Sequence, residues 1–352
     1  MSRSSPLAAP DPSSLADASR TPAGGCTGGP VRAPDADLRH EWHGAADAPV
    51  VVVLGGISAT RHVARSVDDP SPGWWDGVVA PGAGIDTTRW HVLGIDHLDG
   101  GRGADGRPLC AVTTADQADE LAHLLDRLDV PHVHAIVGAS YGGMVALAFG
   151  ARHAARVGRL IVIGAAHESH PMSTALRVLQ RRVVTLGLDT GRARDALAIA
   201  RGIAMTTYRT ADEFATRFTH ASHADGLAAA VGDYLAHCGT RWADHCPPER
   251  FLALSQSLDT HRVVPESIHV PATLVAIEGD QLVPESQLRE LAARFGAPCT
   301  LTTLATRCGH DGFLTEPAAI GRLIADALTA TPALRGHVDT PHPSTAFAQV
   351  VP

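Results

Sequence analysis

The sequence contains no lysine and no asparagine, so all 29 of its cationic side chains are arginine. Both missing residues draw on AT-rich codons. A GC-rich bacterial genome accounts for the bias, and arginine enrichment by itself therefore carries no functional message. No apolar run reaches the roughly 18 residues that a membrane span requires. The N-terminus also lacks the basic start and apolar core of a secretory signal, so a cytoplasmic protein away from membranes is expected. The six cysteines show no C-x-x-C spacing, which argues against a disulfide scaffold and for reduced thiols. His237-Cys238 and His245-Cys246 are the nearest approach to a metal pattern. Two such pairs in a chain with 20 histidines do not make a ligand set, and no metal is expected. A net charge of −8 without a basic stripe excludes a nucleic-acid binder.

What is present is enough apolar residue, 45% of 352 positions, to bury a large core. Residues 1–34 are rich in Ser, Pro, Ala and Gly without periodicity, which predicts disorder. The segment 331–352 reads as a similar flexible tail. Between them strands alternate with helices. Residues 49–54 (PVVVVL) form the continuous apolar run of a strand buried on both faces. Residues 90–95, 132–137, 160–163, 271–277 and 299–304 read as further strands. Helical spacing marks 114–128, 142–152 and 317–328, and it dominates from about 170 to 265 with no strand signal. The expected fold class is α/β, with a mostly parallel doubly wound sheet. Its core spans 35–168 and 266–330, and a helical lid insertion spans 169–265.

The strand at 132–137 runs into Gly138-Ala139-Ser140-Tyr141-Gly142, and a helix follows at once. A serine at so sharp a strand-to-helix turn presents its hydroxyl at a helix N-terminus, and the flanking glycines avoid collisions with the neighbouring strand and helix. The bare G-x-S-x-G pattern is weak; its placement between a strand and a helix makes Ser140 a candidate nucleophile. Such a serine needs an acid and then a histidine later in the chain. Asp280 follows one strand within Glu278-Gly279-Asp280, and His310 follows the next within Cys308-Gly309-His310-Asp311. Both lie at carboxyl ends of strands, where sheet active sites are built. Ser140 would attack, His310 would take its proton, and Asp280 would hold the imidazole. Glu278 is the rival acid, closer to the strand end. The expected oxyanion donors are the backbone N–H groups of Tyr141 and of Ile57, the latter in the Gly55–Ala59 loop after the first strand.

This machinery would serve esterases, thioesterases and acyltransferases alike. Other residues discriminate. Gly73-Trp74-Trp75-Asp76-Gly77, Pro81-Gly82 and Ile85-Asp86-Thr87 resemble the "GWW…GPG…IDT" block of the homoserine O-acyltransferase family. Ser140-Tyr141-Gly142-Gly143-Met144 and Gly309-His310-Asp311-Gly312-Phe313-Leu314 resemble that family's nucleophile and "GHDAFL" segments. Gln180-Arg181, residues 205–209 (MTTYR) and Tyr234-Leu235 resemble its lid patterns. The likeness runs from about residue 50 to 327. It implies the α/β-hydrolase fold and a ping-pong reaction in which Ser140 takes an acyl group from acyl-CoA and passes it to homoserine, a step of methionine biosynthesis. No cofactor is permanently bound, and small-molecule substrates are the partners. By the same resemblance Arg181 holds the amino-acid carboxylate, Asp311 holds its ammonium, and the molecule is a homodimer joined through the lids.

Departures from the family bear on the acyl donor. The usual "HALTG" is Gly55-Gly56-Ile57-Ser58-Ala59, and the usual "STGP" is missing after Asp96-His97-Leu98-Asp99-Gly100-Gly101. The acyl pocket is therefore expected to differ from that of acetyl-transferring members. Arg61, four residues past Ile57, could pair with the extra carboxylate of a succinyl group, which favours succinyl-CoA over acetyl-CoA as donor. Serine O-acyltransferases of cysteine synthesis share the same pattern, and one methylene separates the two acceptors. An esterase would use water and give Arg181 no role.

Overall fold

The valine run at the start of the core shows how the sheet acquires two apolar faces. Alternate residues of a strand point to opposite sides. Val52 and Leu54 accordingly join one buried cluster, while Val51 and Val53 join the other. The computed structural model describes residues 38–219 and 226–330; the expected disorder at 1–34 and flexibility at 331–352 fall outside these. The strands are β1 (His40–His43), β2 (Val50–Leu54), β3 (Val79–Ala80), β4 (Ile85–Asp86), β5 (His91–Ile95), β6 (Ala135–Ala139), β7 (Leu160–Ile163), β8 (Ala272–Ile277) and β9 (Cys299–Leu304). Seven form one sheet in the order β1-β5-β2-β6-β7-β8-β9, and β3 pairs only with β4. All neighbours in the large sheet are parallel except β1, which runs antiparallel to β5.

Helices α1 (Thr114–Arg127), α2 (Tyr141–Arg152) and α8 (Glu285–Arg294) cover one face, and α10 (Pro317–Thr329) lies on the other. Thr113 and Asp116 cap α1 reciprocally, each side chain accepting from the other's backbone N–H, so the local sequence dictates where this helix starts. Between β7 and β8 the chain passes through α3 (Pro171–Asp189), α4 (Ala193–Tyr208), α5 (Ala211–Arg217), α6 (Gly226–Ala243) and α7 (Pro248–Thr260). Val184, Leu197, Ala200, Phe251 and Leu252 give these helices a small core of their own. The short α9 (Gly312–Thr315) follows β9. Among the described residues no helix is long and apolar enough to cross a membrane.

Four strand readings change; β3 and β4, of two residues each, are too short to show a strand pattern and were not expected. β1 was not expected, because HEWH is short and half polar; Trp42 secures it by pairing with Leu93 and stacking on His91 at 4.0 Å. The strand expected at 132–137 lies instead at Ala135–Ala139. Gly138 and Ala139 are weak strand formers, but pairing with Val162 and Ile163 carries the strand right up to Ser140.

Candidate active site

β6 is buried at every residue, and the turn that follows puts Ser140 at φ 53°, ψ −120°. A non-glycine residue in this region is strained by about 1–3 kcal/mol. Surrounding hydrogen bonds hold it there: the Ser140 N–H donates to Ile163 O at 2.8 Å, and the Ser140 carbonyl accepts from Gly143 N at 2.9 Å. Gly142 is required next, since a Cβ there would stand 2.2 Å from the Leu54 carbonyl oxygen.

Asp280 and His310 arrive from the ends of β8 and β9. His310 Nε2 lies 2.8 Å from Ser140 Oγ, and His310 Nδ1 lies 2.7 Å from Asp280 Oδ2. The second Asp280 oxygen accepts from the backbone N–H groups of Leu282 at 2.8 Å and Val283 at 3.0 Å. The carboxylate is thereby satisfied on both oxygens although buried, as a charge in that position requires. Glu278 is exposed and lies outside this chain of contacts. Burial works against a charged His310, but the Asp280 carboxylate outweighs it and holds the imidazole above its ordinary pKa. The three side chains form a hydrogen-bonded relay in which imidazole can take a proton from the hydroxyl.

A cavity opens on Ser140 and His310, lined among others by Gly56, Ile57, Arg177, Arg201, Tyr208 and Asp311. The Gly55–Ala59 loop sits directly opposite the serine: a Cβ on Gly56 would be 3.7 Å from Ser140 Cβ. Neither the Ile57 amide nor the Tyr141 amide has a hydrogen-bond acceptor among the described residues. The Tyr141 ring turns away into the core, where its hydroxyl meets Ser257 Oγ at 2.7 Å and Gln117 Nε2 at 3.2 Å.

The cationic residues fall differently from the sequence reading. Arg61 does not reach the cavity; its backbone N–H and its guanidinium both donate to Asp96, at 2.8 and 3.1 Å. Arg181 is also absent from the cavity wall. Its side chain is held by the Ser255 carbonyl at 2.9 Å, Ser255 Oγ at 3.0 Å and Asp259 at 2.7 Å. One helical turn earlier, Arg177 shares Asp259 at 2.7 Å, and it does line the cavity. Arg201 lines it as well, stacked over the Tyr208 ring at 5.0 Å. Asp311 is where expected, beside His310, and pairs with Arg209 at 3.1 Å, although that Nε–H is not aimed at the carboxylate. Burial pushes the Asp311 carboxyl above its ordinary pKa, against the pull of Arg209, His310 and Arg201. The sequence held no signal for choosing Arg177 and Arg201, since every cation in it is arginine.

The "GWW" block braces the site and also lines it, since Trp74 belongs to the cavity wall. Trp75 Nε1–H donates to the Phe313 carbonyl at 2.9 Å, tying this block to the segment that carries His310. Trp74 Nε1–H donates to the Thr60 carbonyl at 3.0 Å, just past the Gly55–Ala59 loop.

Residues 49–317 match the family described as alpha/beta hydrolase fold. The chain is 42% identical over 296 residues to a homoserine O-succinyltransferase of Xanthomonas campestris pv. campestris, covering 84% of this chain and 79% of that protein. The chain belongs to the homoserine O-acyltransferase family. A homoserine O-acetyltransferase of Nocardia farcinica is 32% identical, over 79% of this chain and 83% of its own. The crystal structure of a homoserine O-acetyltransferase from Bacillus anthracis superposes with a TM-score of 0.76 at 15% identity, covering 84% of this chain and 93% of that one. This last likeness speaks to the fold, in which a family member keeps its sheet and helices at very low identity.

Proposed function

We propose that this family member is an acyl-CoA:L-homoserine O-acyltransferase of methionine biosynthesis and that its donor is succinyl-CoA. The observation that carries the reading is the pair of arginines, Arg177 and Arg201, that line the cavity in front of the Ser140–His310–Asp280 relay. Arg177 and Arg181 share one carboxylate, Asp259. Arg201 has aromatic rings beside it and no ion-pair partner among the described residues. The wall sets Arg177 and Arg201 against Glu168 and Asp311, and Arg201, with no ion-pair partner among the described residues, is placed to receive an anionic group.

Ser140 Oγ attacks the thioester carbonyl as His310 takes its proton, and the N–H groups of Tyr141 and Ile57 receive the developing oxyanion. His310 returns the proton to the departing CoA thiolate, leaving an ester on Ser140. Homoserine then enters with its carboxylate on Arg201 and its ammonium on Asp311. Its hydroxyl gives a proton to His310 and attacks the ester. O-acylhomoserine leaves, and Ser140 recovers the proton. Arg201 replaces Arg181 in this scheme because Arg201 lines the cavity and Arg181 does not. Arg177 replaces Arg61 as partner of the distal succinyl carboxylate for the same reason. The five helices α3–α7 act as a lid that keeps water from the acyl-enzyme. Their exposed Met172, Leu179 and Leu186, seven residues apart on α3, form the apolar face of a homodimer contact.

Thiol release from succinyl-CoA and acetyl-CoA, each with homoserine, serine or no acceptor, tests the proposal. Homoserine-dependent release from succinyl-CoA is expected, and Ser140→Ala abolishes it. Arg177→Met lowers kcat/KM for succinyl-CoA by about 10- to 100-fold, the worth of one charged hydrogen bond. It changes the acetyl-CoA value by less than about threefold, because Arg181 still neutralises Asp259. Release that ignores the acceptor would overturn the transferase reading, and an equal loss with both donors would overturn the role of Arg177.

A further inference from the structure

We infer that His97, which lies outside the cavity, is a positioning residue for acyl transfer: its Nε2–H fixes the Gly55 carbonyl and thereby aims the Ile57 amide at the space in front of Ser140. The inference rests on the reading of the Ile57 and Tyr141 amides as oxyanion donors.

His97 is buried, with 4% of its surface exposed. Its Nε2 lies 3.0 Å from the Gly55 carbonyl oxygen. A carbonyl can only accept, so the proton sits on Nε2. Burial, together with the nearby Arg250 guanidinium, lowers the His97 pKa to about 4, which keeps the ring neutral at physiological pH. The same Gly55 oxygen accepts the Gly142 N–H at 3.0 Å. One atom thus joins the oxyanion loop to His97 on one side and to the helix behind the nucleophile on the other. The His97 ring also packs edge-on against Tyr141, with centroids 4.8 Å apart and planes at 79°. A single side chain therefore touches the supports of both proposed donors.

Arg250, on α7, closes the far side. Its two terminal nitrogens donate to the carbonyls of His97 and Ala59, each at 3.1 Å. The loop from Gly55 to Ala59 is held at its start by His97 and at its end by Arg250, and Arg250 also holds His97. Oxyanion donors act over about 2.7–3.1 Å, so a loop free to move by an ångström forfeits much of their effect. His97 brings no group to the substrate and acts through the backbone it restrains.

The test uses p-nitrophenyl acetate, which acylates an active serine without CoA or homoserine. His97→Phe keeps an aromatic ring and removes the donor; His97→Gln keeps an N–H at similar reach. His97→Phe is expected to slow acylation by about tenfold or more with KM within about twofold, and to weaken a boronic-acid tetrahedral analogue in parallel. His97→Gln is expected to stay within about threefold of the native enzyme. Arg250→Met, which removes the outer clamp and leaves the ring in place, should show the same kcat-only loss and covers the case in which the Phe variant does not fold. Native-like rates in both donor-deleted variants, a Gln variant as slow as the Phe variant, or a loss confined to KM would overturn the assignment. Ester acylation in the absence of any homoserine-dependent thiol release would sink the proposed function and leave this inference standing.

Discussion

His310 is useful as a base only when neutral, and its surroundings set the pH at which that holds. Burial alone would make it a weaker base, but Asp280 at 2.7 Å reverses the balance and raises its pKa above the ordinary 6.5. The protonated ring therefore persists to higher pH than in a free histidine, and kcat/KM should fall as pH drops through a midpoint above 6.5. In Asp280→Asn the same profile should move to lower pH while kcat falls by about 10⁴-fold, because the correct tautomer is no longer held. A midpoint that stays put would remove Asp280 from the relay. At this scale the order serine, acid, histidine was legible because each follows a strand. The arginines were not: Arg61, Arg177, Arg181 and Arg201 differ only in where their helices and loops point them.

Between strand and helix, the turn at Ser140 depends on the absence of two side chains. A Cβ on Gly138 would stand 2.3 Å from Gly142 O, and one on Gly142 would stand 2.2 Å from Leu54 O. Both obstacles are backbone, which cannot yield as a side-chain tip can. Gly142→Ala is therefore expected to destabilise the protein by about 3 kcal/mol, read as a drop in the urea midpoint, with activity lost alongside. A variant with native stability would mean that β2 and α2 can separate more freely than their packing indicates. The same element shows why the serine strand, expected at 132–137, lies at Ala135–Ala139. Gly138 and Ala139 are weak strand formers, which ends the expected strand at 137, whereas pairing with β7 carries it to Ala139.

Across the whole molecule several histidines are buried in the neutral form. Burial lowers the pKa of His43, His91 and His167, and lowers His97 to about 4 and His261 to about 3. For a base depressed in the folded state, the unfolded chain binds the extra proton first. Stability is thus full above the unfolded value near 6.5 and declines as pH falls toward the folded value. At pH 5 His97 and His261 should each cost about 2 kcal/mol. His62 and His310 shift the other way and offset part of this loss. The expected outcome is a marked fall in the urea midpoint between about pH 7 and pH 5, smaller when His261 is replaced by a non-titrating residue. A flat profile would mean that these rings gain protons without unfolding.

Legible in the sequence alone were the alternation of strands and helices, the helical stretch before β8, the candidate order of serine, acid and histidine, and the family. These follow from patterns that are local or ordered along the chain: runs of valine, 3.6-residue periodicity, glycines around one serine, and short motifs. Tertiary structure decided what depends on convergence. Asp259 gathers Arg177 and Arg181 from α3, which leaves Arg177 at the cavity and Arg181 behind it. Asp96 withdraws Arg61. Arg250, 153 positions from His97, donates to the His97 carbonyl while His97 Nε2 donates to the Gly55 carbonyl, and together they restrain the loop facing Ser140. A carbonyl or carboxylate recruits whichever donor the fold brings within about 3 Å, and no spacing along the chain encodes that meeting.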